Sequence, residues 1–229
     1  MTTPRKIVIF GNGEIASLAR YYFENDSPHT ICAFAVDDEY ATGDTFGGLP
    51  LVGFSAALER FPANQYAMFV AISYSKLNVN RQAKFEMVKA AGYDMPSYVC
   101  TKSVTWPDLN VGDNCFILEN QTIQPTVTIE DNVMIWSGNH LGHGCHIGAH
   151  TYLASHIVLA GHSRIGQRCF IGVNATVRDF AEVGDDSFIA MDASVTGNVE
   201  AGSVVIGASS TVYDPQSRHA RMLKSKYFG

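Results

Sequence analysis

The 229-residue sequence predicts two domains of different class, an α/β domain followed by an all-β domain built as a parallel β-helix. Three observations support this prediction. Strand and helix patterns alternate up to about residue 98, an aliphatic residue then occupies every sixth position from Val111 to Val195, and a short motif recurs every eighteen residues. The predicted units are therefore 1–98, 108–213 and a basic tail, 214–229.

The α/β domain begins with a short buried strand that ends at Gly11. Apolar residues spaced i, i+3, i+4, i+7 and i+8 then predict an amphipathic helix. The remaining predicted elements alternate in type, as in a small parallel sheet with helices. In chain order the elements are strand 7–10, helix 15–23, strands 31–36 and 67–72, helix 78–91 and strand 98–100.

The turn after the first strand has the pattern GxGxxA, which is typical of phosphate-binding turns but is also found in ordinary tight βα turns. The domain is only about half the size of a full dinucleotide-binding fold, so a single nucleotide carrying another group fits it better than a dinucleotide. The predicted substrate-binding residues lie at this turn and at the ends of the next strands. They are Gly11, Asn12, Gly13, Asp37, Asp38 and Ser73.

The six-residue spacing fits neither an α-helix nor a simple strand. A triangular parallel β-helix explains it, because each short face contributes one inward aliphatic side chain. Eighteen residues make one coil of three faces, and the pairs that begin at 111, 129, 147, 165, 183 and 201 mark one corner of it. Four of the first five pairs have glycine in second place.

Composition narrows the classes of function. The net charge of −6 argues against general nucleic-acid binding, and the apolar run before Gly11 is too short for a membrane span or secretion signal. Five cysteines without a CxxC pair favour a reducing cytoplasm. The basic tail is interpreted as a solvated helix or as a cationic patch near a phosphorylated ligand.

Six of the eight histidines lie between residues 140 and 162, which makes metal binding the first function to consider. His150, His156 and His162 share one position in successive hexads and so point away from three different faces. They cannot converge on one ion within a subunit, so no metal site is predicted, and an ion shared between subunits stays open as an alternative. Proton transfer is the remaining role for a histidine here, because the imidazole titrates near neutral pH.

Together the glycine-rich turn, the Asp37-Asp38 pair, the Ala71–Ser73 strand end and the hexapeptide coils resemble a known family. This is the two-domain, PglD/NeuD-like group of left-handed β-helix sugar acyltransferases, whose members include a bacillosamine N-acetyltransferase and a sialic-acid O-acetyltransferase. The resemblance covers nearly the whole chain. It implies a Rossmann-like first domain, a left-handed β-helix, acetyl-CoA as acyl donor and a homotrimer.

The resemblance also assigns site residues. The stretch 142–148 matches the family segment that carries the catalytic base, and the base falls on His143. An acid often follows this histidine in the family, but Gly144 stands here, so the group that orients His143 is not identified. The backbone N–H of Gly161 is implied to hold the acyl carbonyl, and Tyr152 takes the place of a second family histidine beside the thioester. The residues implied to line the pantetheine channel are Gly172, Val173 and Asn174.

The activity expected from this resemblance is transfer of an acetyl or other acyl group to the amine of a nucleotide-linked amino sugar, by direct attack in a ternary complex. Cys145 is the only nucleophile close to the base, and the family does not use it. Two alternatives stay open, O-acetylation of a sugar such as a sialic acid and a non-enzymatic nucleotide-binding scaffold. The sequence leaves the nucleotide base, the sugar position and the acyl length undetermined.

Overall fold

The computed structural model describes residues 3–228, and its first domain is an α/β unit. A five-stranded sheet has the order β3-β4-β2-β1-β5, parallel except for the antiparallel β3–β4 pair. The elements are β1 (Lys6–Phe10), α1 (Glu14–Asp26), β2 (Thr30–Val36), β3 (Thr45–Phe46), β4 (Leu49–Gly53), α2 (Phe54–Arg60), β5 (Ala67–Val70) and α3 (Val79–Ala90).

The predicted strands β1, β2 and β5 and the predicted helices α1 and α3 are confirmed within a few residues. The sequence reasoning did not find β3, β4 or α2. Gly47, Gly48 and Pro50 interrupt the apolar pattern there, and a proline inside a run normally argues against a strand. Leu51 and Val52 are nevertheless buried beside β2, so tertiary packing outweighs the local signal.

The second domain is a parallel β-helix whose short strands stack into three faces. The first face contains β6 (Tyr98–Val99), β8 (Phe116–Ile117), β11 (Met134–Ile135), β14 (Tyr152–Leu153), β17 (Phe170–Ile171), β20 (Phe188–Ile189) and β22 (Val204–Val205). The second contains β9 (Thr122–Ile123), β12 (His140–Leu141), β15 (Val158–Leu159), β18 (Thr176–Val177) and β21 (Ser194–Val195). The third contains β7 (Asn110–Val111), β10 (Thr128–Ile129), β13 (His146–Ile147), β16 (Arg164–Ile165) and β19 (Glu182–Val183).

From β6 to β21 each strand pairs with the strand eighteen residues away, as the sequence period predicts. The last coil is two residues shorter, since Phe188 of β20 pairs with Val204 of β22. Ile129 pairs with Ile147, and Ile147 pairs with Ile165. The aliphatic side chain of every hexad from Ile117 to Val195 is buried in the centre of the prism. Glycine is required where coils meet closely, because a Cβ added at Gly148 would lie 2.6 Å from the carbonyl carbon of Gly166.

The three histidines that share a hexad position lie at the corners between faces rather than on the faces. Their backbone φ values are 63° at His150, 60° at His156 and 58° at His162, so all three adopt the left-handed conformation. Asparagine and aspartate occupy many equivalent corners, which fits the tolerance of Asn, Asp and His for this region. The hexad position therefore selects for turn geometry as well as for side-chain chemistry.

The predicted strand at 98–100 exists, but its assignment to the first domain is wrong. Tyr98 and Val99 pair with Phe116 and Ile117, which makes β6 an early strand of the first face. The strand is short, and no sequence pattern distinguishes an edge strand of one sheet from the first strand of another. The junction between the domains therefore lies before residue 98.

The first domain packs on the first face and the corners beside it. Arg81 of α3 is 1% exposed and donates to the backbone carbonyls of Asn132 and His150, the latter over 2.6 Å. Asp26, at the end of α1, accepts hydrogen bonds from the Tyr98 hydroxyl (2.6 Å) and the Thr101 N–H (2.8 Å). These contacts fix the position of α1 and α3 relative to the coils.

The tail contains α4 (Arg218–Phe228), as one of the two interpretations of the basic segment expects. Only Ala220 of this helix is buried. Within residues 3–228, no helix is both long and apolar enough to cross a membrane.

Candidate active site

A cavity of about 890 Å³ opens at the carboxyl ends of β1, β2 and β5, where the first domain meets the first face of the β-helix. Ligands bind at this edge in open parallel α/β sheets. The cavity contains five of the six predicted substrate-binding residues. They are Gly11, Asn12, Gly13, Asp37 and Ser73. Gly11 has a φ of 134°, and a Cβ there would lie 2.5 Å from the carbonyl oxygen of Ala71, so the turn requires glycine.

The charged groups around the cavity are three carboxylates and one ammonium group. Lys84 of α3 contacts Asp37 at 2.6 Å, while Glu14 and Glu39 line the cavity without an ion pair among the described residues. The N-terminus of α1 begins at Gly13 and has no side-chain cap, so its N–H groups can face an anion. The N–H groups at this helix end and the Lys84 ammonium group could bind the phosphates of a ligand. The carboxylates could accept hydrogen bonds from its hydroxyl and amino groups.

Asp38, the sixth predicted residue, is not at the cavity. Its carboxylate accepts a hydrogen bond from the Ser55 N–H at 3.0 Å and another from the Ser55 hydroxyl at 2.5 Å. These bonds lower the pKa of the Asp38 carboxyl and satisfy the first turn of α2. The structure thus corrects the expectation, because Asp38 anchors a helix instead of contacting a ligand.

The floor of the cavity is made of aromatic side chains from the β-helix. Tyr152 is 5% exposed and stacks on Phe170 at 5.2 Å, while Tyr74 from the first domain contacts both rings at 4.9 Å. Burial raises the pKa of Tyr152 to about 12, so its phenol stays neutral near pH 7. The indole Nε1 of Trp136, beside it, has no hydrogen-bond partner among the described residues. The aromatic wall thus carries two polar groups, the Tyr152 phenol and the buried Trp136 Nε1 beside it.

His143 lies away from this cavity, on the turn between β12 and β13. This corner joins the second and third faces and is therefore opposite the first face, which carries the first domain. The imidazole is exposed, and its Nδ1 lies 3.1 Å from the side-chain oxygen of Gln124. The ring of His162 meets it edge-on, with 4.9 Å between centroids.

Gly161 occupies the position equivalent to His143 in the next coil, and the imidazole of His143 lies against it. A Cβ there would lie 2.7 Å from Cε1 of the ring, so the ring can occupy this place only over glycine. The backbone N–H of His143 donates to the side-chain oxygen of Gln124, nineteen residues earlier in the chain, at 2.8 Å. The residue nineteen positions before Gly161 is Gly142, which has no side chain to accept the Gly161 N–H in the same way. Gly161 is buried, and within residues 3–228 its N–H has no hydrogen-bond acceptor.

The predicted cofactor-binding residues do not all lie together in one chain. Gly172, Val173 and Asn174 form the corner between β17 and β18, on the same edge of the prism as Trp136. Tyr152 lies on the adjoining first face, and His143 and Gly161 lie at the opposite edge of the second face. One protomer therefore presents the cavity and the histidine at two different corners joined by the second face.

Cys145, the alternative nucleophile, is in an unreactive environment. It is 1% exposed, and its thiol lies 3.1 Å from the carbonyl oxygen of Ala160. Burial raises the pKa of the thiol, which disfavours the thiolate that would be needed as a nucleophile. For metals, no group of three or more His, Cys, Asp or Glu side chains that could hold an ion was found in the described part of the chain.

Sequence reasoning did not find Gln124, Lys84 or Tyr74 as site residues. For Gln124 a signal existed, because it precedes His143 by nineteen residues, one coil plus one position. Side chains with this offset reach the next coil elsewhere in the chain, as Glu130 reaches the Ala149 N–H at 2.9 Å. For Lys84 the signal is absent, because only the packing of α3 brings it to Asp37.

Comparisons with known proteins agree with this architecture. Residues 126–161 match a family model described as bacterial transferase hexapeptide (six repeats), and residues 163–196 match the hexapeptide repeat of succinyl-transferase. A search of curated protein sequences gave no match. The repeats deduced from the six-residue period are therefore of the bacterial transferase type.

Several solved structures share the fold over both domains. PerB from Caulobacter crescentus, in complex with CoA and GDP-perosamine, is 24% identical, with a TM-score of 0.79 over 91% of this chain and 97% of that one. The acetyltransferase domain of PglB from Neisseria gonorrhoeae FA1090 is 20% identical, with a TM-score of 0.75 over 89% and 97%. WeeI from Acinetobacter baumannii AYE is 20% identical, with a TM-score of 0.56 over 90% and 97%.

These matches confirm the predicted fold class. A small Rossmann-like α/β domain precedes a left-handed parallel β-helix. The left-handed path is an exception to the usual right-handed connection of parallel strands, so periodicity alone could not have established it. The chain carries bacterial transferase hexapeptide repeats on the two-domain fold of these acetyltransferase structures.

Proposed function

We propose that this protein is an acyltransferase that moves an acetyl or other acyl group from acyl-CoA to the amine of a nucleotide-linked amino sugar. The observation that carries the proposal is the pairing of an exposed imidazole, His143, with the open backbone N–H of Gly161. A base beside an unused N–H is the minimum that acyl transfer needs. The nucleotide-sized cavity of the first domain supports a nucleotide sugar as acceptor.

The chemistry can be stated in terms of this chain. The sugar amine loses a proton as its nitrogen attacks the thioester carbonyl, and His143 accepts that proton, which contributes roughly 10²–10⁴-fold in rate. The Gly161 N–H stabilises the oxyanion that forms, a contribution of about 3 kcal/mol. The carbon–sulfur bond then breaks, and the proton held by His143 passes to the departing sulfur, so that CoA leaves as the thiol and the base is regenerated. No acyl-enzyme is needed, which agrees with the burial of Cys145.

Geometry favours a homotrimer as the active assembly. The second face carries outward side chains that are neutral or only weakly basic, and they are Thr122, His140, Val158, Thr176 and Ser194. The third face instead carries Arg164 and Glu182. If three copies pack with their second faces turned toward a common threefold axis, the His143 edge of one copy meets the Trp136 edge of the next. The cavity and the base are then brought together between subunits.

The compared proteins support the same class of substrates. PerB was solved with CoA and GDP-perosamine bound, and PglB was solved in complex with acetyl coenzyme A. Two further structures of the perosamine N-acetyltransferase carry a single histidine replaced by asparagine or alanine. We place the reaction in the cytoplasm, because the five cysteines are free and no disulfide is formed within residues 3–228.

The test is mass spectrometry of mixtures containing the protein, acetyl-CoA and a panel of UDP-, dTDP- and GDP-linked amino sugars. An acetylated product from one nucleotide sugar, lost on replacing His143 by asparagine, is expected. Acetylation of free sialic acids alone would favour O-acetylation instead. A nucleotide that binds without any turnover, in wild type and variant alike, would favour the scaffold.

The trimer is tested by light scattering and by mixing two inactive variants. The expected mass is three times 24.9 kDa. His143→Ala removes the base, and Ser73→Trp fills the cavity, so each variant alone is inactive. Unfolding and refolding the two together would restore sites made from one intact His143 edge and one intact cavity. Wild-type protein that is unfolded and refolded in the same way serves as the control. If the mixed variants recover no activity while the control does, the shared site is contradicted.

A further inference from the structure

We propose that Gln124 is a positioning residue that fixes His143 in the tautomer with a proton on Nδ1, so that Nε2 is the atom that accepts the proton. This inference rests on the proposed function, in which His143 is the base. It assigns the orienting group that the resemblance left unidentified, since Gly144 occupies the place of the usual acid. It also assigns which nitrogen reacts.

The identity of the Gln124 atom can be deduced from a backbone group. One side-chain atom of Gln124 lies 2.8 Å from the His143 N–H and 3.1 Å from Nδ1 of the same residue. A backbone N–H can only donate, so this atom must be the amide oxygen and not the nitrogen. The oxygen can only accept, so Nδ1 must carry a hydrogen to be bonded at that distance. In the neutral imidazole the lone pair is then on Nε2.

The position of Nε2 agrees with this assignment. No described residue hydrogen-bonds to Nε2, and a Cβ built on Gly161 would lie 3.0 Å from it. The lone pair on Nε2 is therefore close to Gly161, whose backbone N–H has no acceptor among the described residues. A thioester whose oxygen is held by the Gly161 N–H would place its attacking amine beside Nε2.

Gln124 differs from an acid in one respect that can be measured. An amide orients the ring without charge, so it does not stabilise the imidazolium as a carboxylate would. The titratable group facing His143 from the next coil is His162, at 4.9 Å between ring centroids. Among the described residues no carboxylate forms an ion pair with His143. Gln124→Glu keeps the acceptor oxygen but adds a charge, and it should move the acidic limb of the rate profile to higher pH by about one unit.

The first experiment is ¹⁵N NMR of the imidazoles in the full-length protein, with His143 assigned by comparison with His143→Asn. Near neutral pH the expected spectrum shows a protonated Nδ1 and an unprotonated Nε2. Gln124→Glu keeps this pattern, and Gln124→Ala shifts the population toward a proton on Nε2. A wild-type spectrum with the proton on Nε2 overturns the inference, whether or not any variant folds.

Kinetics provide the second readout. Gln124→Ala is expected to lower kcat by about 10- to 100-fold with little change in KM, as is typical when an orienting partner is removed. Gln167→Ala, at a different corner, is the matched control and should leave kcat unchanged. A kcat for Gln124→Ala equal to that of wild type overturns the inference. The two proposals can fail separately. If His143→Asn keeps its activity, His143 is not the base and the proposed function fails. The NMR pattern tests only the contact between Gln124 and the imidazole.

Discussion

The stability of the domain junction is predicted to depend on pH through His150. This side chain is 7% exposed, its Nδ1 lies 2.9 Å from the side-chain nitrogen of Asn132, and its ring packs on Phe85 at 5.5 Å. Burial, and then the charge of Arg81, lower the pKa of His150 to about 4. The imidazole is therefore neutral in the folded protein over a range in which a free histidine would be charged.

The sign and size of the effect follow from linkage. The folded-state pKa lies below the ordinary value of about 6.5, so the unfolded chain binds the proton more readily. Stability is complete above pH 6.5 and falls as the pH falls toward 4. With these two values, His150 alone would remove about 2.5 kcal/mol of unfolding free energy between pH 7.5 and 4.5.

The perturbation that isolates this effect is His150→Asn. The backbone φ of 63° is one that asparagine tolerates well, so the turn is retained. The variant should lose about 1–2 kcal/mol at pH 7.5, because the ring no longer packs on Phe85. Its unfolding free energy should, however, fall less steeply with acid. The two curves should therefore cross between about pH 5 and pH 6, and at pH 4.5 the wild type should be the less stable by about 0.5–1.5 kcal/mol.

The assay is urea unfolding followed by circular dichroism at pH 7.5, 6.5, 5.5 and 4.5. His156→Asn is the matched control, since it has the same corner geometry, with a φ of 60°, on an exposed side chain. The control should show the wild-type dependence on pH. If His150→Asn also retains the wild-type dependence, the reasoning from burial is refuted.

Three further predictions concern the cavity, the junction and the core. Gly13 caps α1 with φ −102°, and a Cβ there would meet no other atom, so both Asp and Asn fit. Because the added negative charge repels a phosphate, Gly13→Asp should weaken nucleotide binding about two- to fivefold relative to Gly13→Asn in calorimetry. Equal affinities would exclude an anion at this helix end. Asp26→Asn should cost about 1–2 kcal/mol at pH 7, because burial raises the pKa of this carboxyl but hydrogen bonds from Thr101 and Tyr98 outweigh it and lower the pKa to about 2. This contribution is present above about pH 4 and is lost as the pH falls through 2, so an unchanged difference in urea midpoint between pH 7 and pH 2 would contradict it. Ile147→Ala should destabilise the β-helix by about 2–5 kcal/mol in chemical denaturation, because the side chain is fully buried between coils. A loss below about 1 kcal/mol would contradict this and would show that the coils close over the cavity left by the missing atoms.

Much of the fold could be predicted because its signals are local. The aliphatic at every sixth residue reports directly which side chains point inward, and the pairing of Ile129 with Ile147 follows from the eighteen-residue period. The buried strand at residues 7–10 and its glycine turn are equally local. β4 was missed because Pro50 breaks the local pattern, while burial against β2 compensates in the folded chain.

The site divides in the same way. Gly11, Asn12, Gly13, Asp37 and Ser73 could be expected at one cavity, because the ends of parallel strands meet at one edge of a sheet. Asp38 follows Asp37 directly, yet its carboxylate turns to Ser55, and no sequence pattern separates the two aspartates.

The repeat and the classes of the two domains could be read from the sequence alone. These depend on composition and on spacings of eighteen residues or fewer. Three further features became visible only in the folded chain. They are the contact of Gln124 with His143, the lack of an acceptor for the Gly161 N–H among the described residues, and the separation of the cavity from the imidazole at different corners. The reason is geometric, because a period fixes which residues stack along the coils but not where a separate domain docks around them.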